Sequence, residues 1–171
     1  PDFWVDTLQK VSDTFGAEGA ALITLSQGTL DLASSEGVSE LMSRFVSFPA
    51  SQNERARRGL RKGPWDVQSE ASLFDPHDLD RLPLYCELLR PLGFQWFAGA
   101  ALVVGKRENV LLSIERKTEQ GIFEPDELAG LRRILPNLRA AAKLAVQFST
   151  KRHETAFAAF DLMKVPAFLV D

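Results

Sequence analysis

A chain with one cysteine cannot form an internal disulfide or a multi-cysteine metal site, and Cys86 is the single cysteine among these 171 residues. A reducing compartment follows as the expectation, and with it a cytoplasmic location. Long apolar runs are missing too. No stretch approaches the roughly 18 uninterrupted apolar residues of a membrane span, so no membrane partner is expected. The sequence also has no glycine-rich phosphate loop, no Ser/His/Asp order and no histidine pair at metal-ligand spacing. Enzymatic activity, a bound metal and a cofactor are therefore not expected. Net charge is -3, which gives the surface as a whole no attraction for nucleic acid or acidic membrane. Any action on DNA would need another segment.

Against those absences stands an ordinary globular composition. Hydrophobic residues make up 45% and charged ones 25%, enough for a chain of this length to bury a full core without staples. Trp4, Leu8, Val11 and Phe15 recur at helical spacing, and Gly16 can end that helix. The stretch "GAALITLSQGTLDLASS" reads as a hairpin turning at Gln27-Gly28. Ser39 is placed to cap a helix whose inward face includes Leu41, Phe45 and Val46. "SQNERARRGLRKG" follows as a basic, polar helix. A short strand near Val67 to Leu73 and a turn at Asp75-Pro76 come next. "LPLYCELLRPLG" is helical and closed by Pro91 and Gly93, while "FQWFAGAALVVG" and "NVLLSIERK" are the strongest strands. The order lacks strand–helix–strand alternation of the parallel kind, so the expected class is α+β with an antiparallel sheet flanked by helices.

The last helix is long. It begins at Pro125, favoured at a first helical position, with Asp126 and Glu127 in the first turn. Leu128, Leu131, Leu135, Leu138, Ala142 and Ala145 alternate spacings of three and four, a heptad seam. Ile134, Ala141 and Phe148 widen it, so the helix is expected to face both its own sheet and a second copy. The candidate dimer contacts are Leu131, Leu135, Leu138, Ala142 and Ala145. Pro136 should kink the helix or mark a change of register. The division expected is a sensor domain over 1–124, a connecting and dimerising helix over 125–163, and the start of another domain over 164–171.

"LYCELLRPLGFQWFAGAAL", "LLSIERK" and "GIFEPDELAGLRRILPNLRAAAKL" together resemble the N-terminal region of LuxR-type helix-turn-helix transcriptional regulators, from Leu84 to Leu144. In that family a GAF-like regulatory domain precedes the DNA-binding domain. The closing "DLMKVPAFLVD" resembles the first strand of a following PAS-type domain. The resemblance implies a GAF-like antiparallel sheet with a long signalling helix, and a sensor that relays a small-molecule signal. It implies contact with DNA only through a downstream domain. The other reading is a ligand-free dimerisation or interaction module of a signalling protein such as a histidine kinase. Departures from better-defined GAF relatives narrow the ligand. Bilin-binding members attach chromophore through a cysteine beside a histidine, and here Cys86 precedes Glu87. Methionine sulfoxide reductase members use several cysteines, and the Asn-Lys-Phe-Asp-Glu signature of cyclic-nucleotide-binding members is absent.

In such a fold the ligand pocket lies between the sheet and the elements covering it, and Trp65, Tyr85, Phe94 and Trp96 are the candidate lining. By strand alternation Phe94, Trp96 and Ala98 share one face and Gln95 and Phe97 the other. "FDPHDLD" gathers Asp75, His77, Asp78 and Asp80, which reads as turn and cap chemistry rather than a cation site. Arg55, Arg58 and Lys62 fall on one helical face beside Arg57 and Arg61, and a solvated face is expected there. Cys86 reads as a small buried residue.

Overall fold

The computed structural model describes residues 2–26, 28–62, 66–75, 77–106 and 108–162, with side chains between 4 and 147. Its centre is a five-stranded antiparallel sheet in the order β2-β1-β5-β4-β3. The strands are β1 (Gly19–Ser26), β2 (Thr29–Ser34), β3 (Gln68–Ser69), β4 (Phe94–Val104) and β5 (Glu108–Lys117). Two local hairpins, β1–β2 and β4–β5, are joined by the long-range pairing of β1 with β5, from Gly19 opposite Glu115 to Ser26 opposite Glu108. Gly28, with φ of 91°, takes a left-handed position in the tight first turn.

One face of the sheet is lined by Ala20, Leu22, Ala98, Ala100, Leu102, Val110, Leu112 and Ile114. Small residues on β1 and β4 let two helices lie close against it. These are α1 (Asp2–Thr14), through Leu8 and Val11, and α5 (Pro125–Leu162), through Leu131, Leu135 and Ala142. The opposite face carries a second cluster. It includes Ala21, Phe94 and Phe97 from the sheet, Leu41 and Met42 from α2 (Ser39–Phe45), and Leu84, Tyr85, Leu88 and Leu89 from a π-helical turn. The mixed α+β class, the antiparallel sheet and the long terminal helix are all as the residue pattern led one to expect.

Several local expectations need correction. Ser39 is the first residue of α2 and not its cap; Val38 holds that position, and no side chain caps the helix. Val46 points to solvent, 56% exposed, because it follows the last turn of α2. The strand expected near Val67 to Leu73 is cut short. After Ser69 the backbone turns into α4 (Glu70–Leu73), with the Ser72 hydroxyl accepting the Ser69 N–H at 3.0 Å. Alternation along β4 is broken by an irregularity between Phe94 and Trp96, so Phe94 and Phe97 both join the second cluster and Ala98 joins the first. Cys86 is exposed, with its Sγ donating to the Asp80 carbonyl at 3.2 Å.

α5 continues through Pro136, which lies on its exposed side. Glu127 sits at the third helical position and its Oε2 accepts the Glu124 N–H at 2.8 Å, which satisfies one of the donors that a helix start leaves unpaired. Of the seam expected to meet a second copy, Leu131, Leu135 and Ala142 are buried in the chain's own core, Leu138 packs against it, and Ala145 is half-buried. Leu144, 53% exposed, faces outward. Truncation should separate the two sides in urea unfolding. Leu131→Ala should lose about 2–5 kcal/mol, and Leu144→Ala should stay within about 0.5 kcal/mol of the parent.

Candidate functional site

The most unusual chemistry lies on the face opposite α5. The basic helix α3 (Glu54–Lys62) crosses it and sends Arg55 inward until the side chain is only 10% exposed. The solvated face expected for this helix therefore holds for some of its cations and fails for Arg55. A buried guanidinium needs acceptors for its N–H groups, and here each of its three nitrogens has at least one. Nη1 donates to both oxygens of Glu115 at 3.0 Å, and Nη2 donates to Glu70 Oε1 at 2.6 Å and to the Gln95 carbonyl at 3.4 Å. Nε donates to the Tyr85 hydroxyl at 2.9 Å. The guanidinium carbon lies 4.2 Å from the Phe97 ring centre and 5.0 Å from that of Tyr85, so aromatic faces close what the carboxylates leave open.

Each partner is placed by the local fold. β5 pairs Glu115 with Phe97 and Gly19, so strand alternation sends Glu115 and Ser113 to this face, and the Ser113 hydroxyl donates to Glu115 at 2.6 Å. The irregularity in β4 leaves Gln95 outside the ladder, and its carbonyl is one that Arg55 reaches. β3 ends at Ser69, opposite Ala98. One residue later Glu70 Oε2 accepts the Phe97 N–H at 2.7 Å, standing in for the strand that has stopped. Tyr85 comes from the π-helical turn Leu84–Leu89, and its hydroxyl donates to Glu70 Oε1 at 3.0 Å.

One cation between two buried carboxylates leaves a charge imbalance if both are ionised. Burial pushes the Glu70 carboxyl up to about 7, against the pull of Arg55 and the Phe97 amide. Burial would lower the Arg55 pKa, but Glu115, Tyr85 and Glu70 outweigh it and the guanidinium stays charged. Burial raises the Tyr85 phenol, which stays neutral.

Of the four candidate pocket residues, Tyr85 belongs to this cage and Phe94 to the apolar cluster beside it. Trp96 packs at the edge of the same cluster and donates from Nε1 to the Thr118 carbonyl at 3.3 Å. Trp65 lies outside the described residues. Arg58 stacks 4.7 Å from the Phe74 ring centre and bonds Asp78 Oδ2 at 3.0 Å and the Leu73 carbonyl at 3.1 Å. Asp80 pairs with Arg90 at 2.7 Å, so two carboxylates of "FDPHDLD" are engaged by arginines. Among the described residues no three His, Cys, Asp or Glu side chains stand together as metal ligands. Glu70 and Glu115 were not singled out by sequence, and Arg55 was read there as a solvated cation. The available signal was a consecutive charged pair, Glu115-Arg116, closing an apolar strand, since a buried charge demands a partner.

Two outcomes test the cage. Arg55→Met leaves two carboxylates facing each other and should lose about 3–5 kcal/mol in denaturant unfolding. Adding Glu70→Gln and Glu115→Gln to that variant should restore most of the loss. The ordinary carboxyl value for Glu70 is 4.5, and the folded value near 7 means that the folded chain holds an extra proton between the two. The stability this group contributes is complete below the lower value and is lost as pH rises through the upper one. The unfolding temperature of the parent should therefore fall between about pH 5 and 8 more steeply than that of Glu70→Gln. Parallel profiles would mean that Glu70 carries no proton in the folded state.

No protein-family model and no curated protein matches the chain. Solved structures do. The chain resembles the VqsR LBD domain from Pseudomonas aeruginosa with a TM-score of 0.61 at 12% identity, over 85% of this chain and 87% of that one. It also resembles the red-light-absorbing state of NpR6012g4, a red/green cyanobacteriochrome, with a TM-score of 0.60 at 16% identity, over 86% and 96% of the two chains. At such identities the likeness is one of fold, and that fold is GAF-like.

Proposed function

We propose that this chain is the regulatory sensor domain of a bacterial transcriptional regulator. It binds a small molecule on the α3 side of the sheet and relays that event through α5, which dimerises and leads to a DNA-binding domain downstream. The observation that carries the proposal is the length of α5. Its described core contacts run from Leu128 to Val146, and the helix continues to Leu162. Its 38 residues span roughly 57 Å at 1.5 Å per residue, more than the sheet beneath it requires. A helix that leaves its own domain can pass a change of packing to another. The resemblance to LuxR-type regulators supplies the transcriptional part of the reading, and the VqsR LBD and cyanobacteriochrome folds are compatible with a sensor.

Leu131, Leu135 and Ala142 are covered by the chain's own core, so the dimer contact is assigned to the outward side of α5 around Leu144, with Leu138 and Ala145 at its border. The ligand-free alternative has one observation in its favour: every nitrogen of the Arg55 guanidinium already has an acceptor within the chain. Native mass spectrometry of freshly purified protein separates the two readings. A reproducible added mass of small-molecule size is expected for the sensor, and bare protein under every growth condition would favour the interaction module. In sedimentation, Leu144→Glu should weaken self-association at least about tenfold, since it places a charge in an apolar contact. Unchanged association would sink the assignment of that side.

A further inference from the structure

α3 is held to the body of the protein in a way unlike its neighbours. Its one large apolar residue, Leu60, is 51% exposed, and its single buried residue is Gly59. The Gly59 carbonyl accepts from Gln68 Nε2 at 3.0 Å, and a Cβ at Gly59 would lie 2.5 Å from Gln68 Oε1. The remaining described attachments are polar or ionic: Arg55 in the cage, Arg58 on Phe74 and Asp78, and Lys62 on the Ser72 carbonyl. A helix with no apolar face against the core loses little apolar burial on lifting away. The most deeply buried of these attachments is the Arg55 guanidinium. If that group left with nothing in its place, Glu70 and Glu115 would lose their one guanidinium partner among the described residues, and Tyr85 and Phe97 would lose the cation on their rings.

We propose that the cage of Glu70, Glu115, Tyr85 and Phe97 is a binding site for a small guanidinium compound, and that Arg55 occupies it from α3 in the closed state. The proposal rests on the sensor reading above and names its ligand class. The cage is matched to a planar fork and not to a point charge. Glu115 presents both oxygens to one nitrogen at 3.0 Å, Glu70 and the Gln95 carbonyl take the second, and the Tyr85 hydroxyl takes the third. The flat cation lies 4.2 Å from the Phe97 ring centre. A compact ammonium has three donors in a cone and cannot reproduce this set. A free guanidinium that enters repeats what Arg55 provided, so the cage is satisfied both before and after exchange while α3 is released. Sodium or an ammonium ion leaves donors and acceptors mismatched, and the helix stays shut. Arg55 is a tethered competitor at high effective concentration, so removing it should strengthen binding of the external cation.

Methylguanidinium chloride at low millimolar concentration is the probe, with methylammonium and sodium chlorides at equal concentration as controls. Calorimetric titration of Arg55→Ala in the full chain should show saturable binding of methylguanidinium, at least about tenfold tighter than to the parent. Amide exchange of the parent should rise across Glu54–Lys62 with methylguanidinium and stay unchanged in β4 and β5. Equal responses to methylammonium, or no exchange response in α3 up to the highest concentration at which β4 and β5 remain protected, would overturn the proposal. The parent exchange measurement decides the matter alone if Arg55→Ala fails to fold. A copurifying neutral or anionic molecule found by native mass spectrometry would leave the sensor reading standing while removing this ligand class. A methylguanidinium response that leaves α5 and self-association unchanged would keep the site and remove the relay.

Discussion

Two consecutive charged residues near the end of the central strand govern what lies on either side of it. Glu115 is 3% exposed and Arg116 is 5% exposed, and strand alternation points them to opposite faces. Neither can be left unpaired in the interior, because an isolated buried charge is far costlier than a lost surface contact. On one face Glu115 therefore requires a cation, and α3 supplies Arg55. On the other, Arg116 bonds Glu127 at 2.6 Å and the Ile122 carbonyl at 2.7 Å, donates to the Phe15 carbonyl, and lies 4.0 Å from the Phe123 ring centre. The hydrogen bond from Arg116 also holds Glu127 below its ordinary carboxyl value. The end of α1 and the start of α5 are thus fixed by one side chain, whose neighbour in sequence fixes α3.

The parts of this architecture that were legible in the sequence are those written in apolar periodicity. β4, β5 and the first hairpin alternate or run apolar over whole strands, and Trp4, Leu8, Val11 and Phe15 leave one helical face open to no other reading. The start of α5 was legible because Pro125 and Glu127 are types with a specific role in a first helical turn. Charged residues carry no such code. In "ERARRGLRK" five cations occupy nine positions, and periodicity cannot say that Arg55 enters the core while Arg57 pairs with Glu54 on the surface. That choice is made by Glu70 and Glu115, which lie 15 and 60 residues away in the chain.

Small local departures from regular structure hid the rest. The irregularity in β4 shifts the strand's parity, so Phe94 and Phe97 meet on one face although simple alternation separates them. The π-helical turn at Leu84–Leu89 buries Leu84, Tyr85, Leu88 and Leu89 while leaving Cys86 outside. Both departures are read only once the partners are in place, and both adjoin the Arg55 cage: Gln95 gives its carbonyl and Tyr85 its hydroxyl. The capped turn after Ser69 does the same for Glu70. Three interruptions of regular structure converge on one guanidinium, and a fold with a wholly apolar interior at this place would need none of them.

α3 is consequently held to the sheet by a different kind of contact from α1 and α5. α1 and α5 rest on Leu, Val and Ala side chains, whose attraction is non-directional and changes gradually as helices shift. α3 rests on hydrogen bonds and ion pairs, which depend on distance and angle and fail when a donor is misplaced. The α3 face can therefore discriminate one chemical group from another, which an apolar face does poorly. β5 belongs to both, and a single peptide bond separates the carboxylate that answers to α3 from the guanidinium that anchors α5. The two kinds of contact meet on adjacent residues of the same strand.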